Sequence, residues 1–124
     1  MKAKTLRFSD LSASRQALVR LCQHVNFGQI LSLQVRNAEP IWDPAPTILS
    51  EVRLEIEETP RPERDLADFK LSFAIQRLMR QLDYIQEGKI EKVEVREGIP
   101  RRLILSGLVQ STVQTAGPRM ADPI

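Results

Sequence analysis

The stretch Gly28-Gln29-Ile30-Leu31-Ser32-Leu33-Gln34-Val35-Arg36-Asn37-Ala38-Glu39-Pro40 returns sixty residues later as Gly88-Lys89-Ile90-Glu91-Lys92-Val93-Glu94-Val95-Arg96-Glu97-Gly98-Ile99-Pro100. Both versions open on glycine and continue with apolar residues at alternate positions. Each then offers a pair able to turn the chain, and each ends on proline. Leu31, Leu33 and Val35 alternate with Ser32 and Gln34, and Val93 and Val95 alternate with Lys92 and Glu94. A period of two places one set of side chains on one face of a strand. Asn37-Ala38 and Glu97-Gly98 are the expected turns, the second favoured by a glycine that accepts positive φ.

The correspondence extends upstream through Gln16/Gln76, Leu18/Leu78 and Arg20/Arg80. Leu18, Leu21, Cys22 and Val25 follow the spacing of a helix with one apolar face, as do Leu71, Ile75, Leu78, Leu82 and Ile85. Ser9, Asp10 or Ser12 can cap the first helix and Asp65 the second. Gly28 and Gly88 are read as the residues that end them. Downstream of Pro40 the offset drops to 56, so that Ile48-Leu49-Ser50 meets Ile104-Leu105-Ser106. The four extra residues fall within Trp42–Thr47, where a hairpin loop is expected. Ile48, Val52, Leu54 and Ile56 alternate with Glu51, Arg53 and Glu55 and predict the first return strand; the second is expected near Leu103 to Val113, where a more uniformly apolar run fits a strand covered on both faces or lying in a subunit contact.

One helix and one hairpin are too small to enclose a core, but two such units can cover each other. The sequence therefore predicts an α+β fold: a tandem α-β-β repeat forming a four-stranded, mostly antiparallel sheet with two helices on one face. Residues 1–113 are expected to form a single domain of two pseudo-repeats, 10–56 and 65–113. The proline-bearing stretch between them is read as an exposed connector, and residues 114–124 as a flexible tail.

A helix ending in glycine, an alternating strand, a Glu-Gly turn and a second strand resemble the YezD-like family of small bacterial proteins. Gly88, Ile90, Val93, Val95 and Gly98 carry the likeness, echoed by Gly28, Ile30, Leu33 and Val35, with Ala38 in place of a glycine. About thirty residues of each half are covered. The resemblance implies the unit and a bacterial cytoplasmic setting; it brings no catalytic residues.

Bulk properties narrow the function. The chain has 124 residues, a formal charge of +2 and one cysteine, which excludes an internal disulfide and fits a reducing compartment. No apolar run approaches the roughly 20 residues that cross a bilayer, and the N-terminus does not read as a signal peptide. A cytoplasmic location without membrane association is expected. One His and one Cys cannot build the usual zinc spacing, and there is no glycine-rich phosphate loop or nucleophile elbow. No metal, cofactor or catalytic residue is predicted. Cys22 reads as a core residue and His24 as an exposed one. The carboxylates of Glu55, Glu57, Glu58, Glu63, Asp65 and Asp68 read as helix-start and solubilising charges; a small carboxylate-based enzyme using them with His24 or Tyr84 is the least favoured reading.

Two readings remain. The first is a non-enzymatic interaction module, self-associating through sheet edges or the apolar last strand, with Trp42 and Asp43 on a proline-stiffened loop as candidate partner contacts. Its partner is a second copy, as a homo-oligomer, or another protein. The second is nucleic-acid binding through Arg36, Arg96, Lys70, Arg77, Arg80, Arg101 and Arg102, with a two-fold-related Arg36/Arg96 pair straddling phosphates.

Overall fold

The computed structural model describes residues 7–57 and 62–106. It is an α+β structure of two helices, α1 (Ala13–Val25) and α2 (Phe73–Ile85), and five strands: β1 (Phe27–Arg36), β2 (Glu39–Ile41), β3 (Thr47–Ser50), β4 (Gly88–Arg96) and β5 (Ile99–Leu105). All pairings are antiparallel. β1 and β4 lie side by side, β5 lines the free side of β4, and β2 and β3 both line the free side of β1.

The two helices start and stop sixty residues apart because the same local chemistry recurs. Ser12 accepts the Arg15 amide at 3.2 Å and Ser72 accepts the Ile75 amide at 3.2 Å, satisfying amides that a helix leaves free in its first turn. Gln16 and Gln76 donate their side-chain amides to the carbonyls of Leu11 and Leu71, at 3.1 and 3.0 Å. The second cap is therefore Ser72, and Asp65 instead ends a short 3-10 turn over Pro62–Asp65.

Neither helix is closed by its glycine. Asn26 and Gln86 take that place, with φ, ψ of 64°, −60° and 62°, −64°, the conformation at the centre of a γ-turn. Gly28 instead lies where β3 crosses closely. A Cβ built on Gly28 meets the Leu49 carbonyl oxygen at 2.1 Å.

β1 and β4 pair with matched register. Gly28 faces Val95 as Gly88 faces Val35, and Ile30 faces Val93 as Ile90 faces Leu33. The buried residues of β1 are Ile30, Leu33 and Val35, not Leu31, because Ser32 (φ 60°) breaks the strict alternation; Ile90, Val93 and Val95 repeat the spacing in β4. These six join Leu18, Val19, Cys22 and Val25 of α1 and Ile75, Leu78, Met79, Leu82 and Ile85 of α2 in one apolar cluster. Each such side chain contributes about 1.5–3 kcal/mol on burial.

Both hairpin turns form where expected. Asn37 and Ala38, and Glu97 and Gly98, all have positive φ, as a two-residue hairpin of the right-handed twist requires. Each turn is tied to the opposite half: Ala38 N–H donates to Gln86 O and Gly98 N–H to Asn26 O, both at 2.9 Å.

The sheet has five strands where four were expected. The four extra residues do not lengthen the hairpin turn. They interrupt the return strand, splitting it into β2 and β3 around Trp42 to Pro46. The predicted strand beyond β3 stops early, for a geometric reason. Pairing with β1 ends with the Glu51 amide on the Phe27 carbonyl at 2.8 Å, and Phe27 is the first residue of β1. Residues 52–57 have run past the end of their neighbour. The second return strand, expected near Leu103 to Val113, is β5 and begins earlier, at Ile99, directly after the Glu97-Gly98 turn; Gly107 to Val113 and the expected tail lie outside the described residues.

Candidate interaction surfaces

Past Ser50 the sequence keeps the alternation of a strand, but the chain turns at Leu54 and Glu55 and has no strand partner among the described residues. Val52, Leu54 and Ile56 are 72%, 90% and 52% exposed, and every residue of β3 is exposed. Among the described residues β3 is also an edge strand, whose outward amides and carbonyls are open to another chain.

Trp42 does not project from its loop. It is half-buried against the core cluster, and its indole N–H donates to Ser14 Oγ of α1 at 3.1 Å. The Ser14 hydroxyl in turn donates to the Pro40 carbonyl. Asp43 beside it is exposed.

The basic residues singled out from sequence divide into separate groups. Arg96 and Arg36 stand at opposite ends of the central pair: Arg96 faces Phe27, and Arg36 is nine residues further along that strand. At about 3.3 Å per residue this separates them by roughly 30 Å, too far to straddle neighbouring phosphates. Lys70, Arg77 and Arg80 are exposed before and along α2. Arg96, Arg101 and Arg102 do converge, joined by Arg53, which the sequence did not nominate. The four line a basin of 700 Å³ with Phe27, Glu94 and Glu97. The Arg53 guanidinium lies 4.5 Å from the Phe27 ring centre, Arg102 pairs with Glu94 at 3.0 Å and Arg101 with Glu97 at 3.3 Å. Arg101 and Arg102 are exposed, so these pairs hold weakly and can exchange for another anion.

Two arginines missed from sequence are structural. Arg15 donates to the Ala38 carbonyl at 2.8 Å and to Asp83 at 2.6 Å, bracing α1 against the first turn and α2. Arg20 lies 4.3 Å over Phe8 and 5.4 Å over Phe69, and donates to the carbonyls of Glu63 at 3.1 Å, Arg64 at 3.3 Å and Leu66. It fastens the chain before α2 to α1. Arg80, its counterpart sixty residues on, is exposed. Nothing in the spacing of the arginines separates these roles.

Burial pushes the Cys22 thiol up to about 12, which holds it protonated and inert at neutral pH. Arg7 and the Ser9 amide, each 2.8 Å away, hold the Asp68 carboxyl down at about 2. His24 is exposed, as expected, and neither it nor Tyr84 lines the arginine basin. Among the described residues no group of three or more His, Cys, Asp or Glu is placed to hold a metal ion, and no helix is long and apolar enough to cross a membrane.

No family model, curated protein or solved structure matches the chain.

Proposed function

We propose that the chain is a duplicated α-β-β unit of the YezD-like cadence that works as a non-enzymatic interaction module. It pairs with a second copy through the segment that follows β3, Val52 to Ile56. The observation that carries this reading is the run from Val52 to Ile56, whose sequence alternates as a strand does and whose three apolar side chains are all exposed; in the single copy the chain turns at Leu54 and Glu55, and pairing extends it.

The run is complementary to itself. In an antiparallel pair centred on Leu54, Val52 of one copy faces Ile56 of the other on the apolar side. Arg53 faces Glu55 on the polar side, twice by symmetry. Apolar and opposite-charge cross-strand pairs each contribute about 0.2–1 kcal/mol, added to the burial of the three apolar side chains. An isologous contact of this kind closes at two copies.

Light scattering over a range of concentrations tests the reading. The native chain is expected to pass from monomer to dimer, and Leu54→Glu to stay monomeric. Arg53→Glu places two acids opposite each other and weakens the dimer, while the exchanged pair Arg53→Glu with Glu55→Arg restores it. A native chain that stays monomeric at every concentration contradicts the reading.

The arginine basin supports a second reading, binding of a nucleic-acid strand. Phe27 offers a ring for a base, and four arginines against two glutamates leave the basin positive. Retardation of single-stranded RNA or DNA in a low-salt gel, lost on Arg96→Glu and weakening with added salt, supports it. An unretarded band at low salt removes it.

A further inference from the structure

The opposite edge of the sheet holds an open groove at the place where the first half keeps its own tryptophan. In the first half, Trp42 follows β2 and rests on α1 through Ser14. Sixty residues on, Ala74 stands for Ser14, Pro100 for Pro40 and Arg102 for Trp42. There, between α2 and β5, lies a groove of 470 Å³. Phe73, Leu103 and Leu105 form its apolar walls, and Arg77, Arg101 and Arg102 its rim.

Phe73 is 69% exposed, a large apolar surface left open to water. Among the described residues no carboxylate lines the groove. Arg101 and Arg102 are partly offset by Glu97 and Glu94, whereas among the described residues Arg77 rests on the Phe73 ring, 5.9 Å away. β5 is the last strand on this side, so its outer backbone groups are open to pairing among the described residues.

We propose that this groove receives an aromatic side chain from an acidic, extended segment of a partner polypeptide that lies along β5. The chain supplies its own template for the occupant: Trp42 reaches α1 from a strand edge and is followed at once by Asp43. An aromatic ring of the partner packs between Phe73 and Leu103. Its carboxylates meet Arg77 and Arg101, and its backbone extends the sheet. Gln81, also in the lining, offers a carbonyl to an indole N–H. The site lies across the sheet from β3, so it does not depend on association of two copies.

The test is a titration of isotopically labelled full-length chain with a synthetic peptide of residues 38–45, followed by amide resonances. Saturable shifts on α2 and β5 are expected. Affinity falls more than about tenfold when the peptide tryptophan becomes alanine, the size of effect typical of an aromatic anchor. Arg77→Glu, at an exposed position, weakens binding by about tenfold or more. Ala74→Trp, which fills the groove from within, abolishes it. The proposal is overturned by absence of saturation up to about 1 mM peptide, the limit of useful affinity. Shifts centred on α1 and β2, or an affinity indifferent to Arg77→Glu, overturn it equally.

Discussion

Gly28 shows how a residue can be recognised in the sequence for a reason the structure replaces. Its place after an apolar stripe reads as a helix cap, yet Asn26 does that work and Gly28 admits β3. The close approach of the Leu49 carbonyl is a tertiary fact, absent from any local pattern. Gly28→Ala is therefore expected to destabilise the fold by about 1–3 kcal/mol, the range for forcing a methyl into occupied space. Urea unfolding measures it, and a variant as stable as the native chain contradicts the close crossing. Cys22 and His24 were legible because helical periodicity alone separates the buried face from the exposed one. Arg15 and Arg20 were not, since their partners lie in other elements.

At the scale of elements, both helices, both hairpin turns and the central strands follow from periodicity and capping chemistry. The return strands do not, because a strand needs a neighbour as well as a pattern. The segment around Val52 to Ile56 satisfies the pattern and has outrun β1. The arginine basin was legible in part: Arg96, Arg101 and Arg102 could be named from sequence, but not their separation from Arg36 or the addition of Arg53, because pairing brings β4, β5 and the segment after β3 together.

The clasp before α2 makes a separate prediction. Asp68 accepts from Arg7 and from the Ser9 amide, joining the start of the described chain to the approach to α2. Its carboxyl sits at about 2 in the folded protein against an ordinary 3.8, so folding favours the charged form. The stabilisation is complete above the ordinary value and disappears as pH falls from about 4 towards 2. Asp68→Asn is expected to be less stable than the native chain at neutral pH, with the difference closing across that window. Urea unfolding at a series of pH values gives the comparison. A difference that persists unchanged down to pH about 2 contradicts a charge-dependent clasp.

For the molecule as a whole, the two halves share one apolar cluster and exchange turn-to-helix hydrogen bonds, Ala38 to Gln86 and Gly98 to Asn26. Burial across this junction completes a core that neither helix-hairpin unit encloses alone. Apart from Leu66 and Tyr84, the large apolar side chains that the described core leaves exposed lie at or beside the two sheet edges. On the proposed reading these edges differ in occupant: a second copy beside β3, an acidic aromatic segment beside β5. Exposure of Leu54 at 90% is the observation on which the first assignment turns. The most direct measurement is hydrogen exchange at the amides of residues 52–56, at dilute and at concentrated protein. The account predicts that exchange there slows as concentration rises, while β4 amides are unchanged, and that Leu54→Glu removes the effect. Exchange at 52–56 that is the same at every concentration contradicts it.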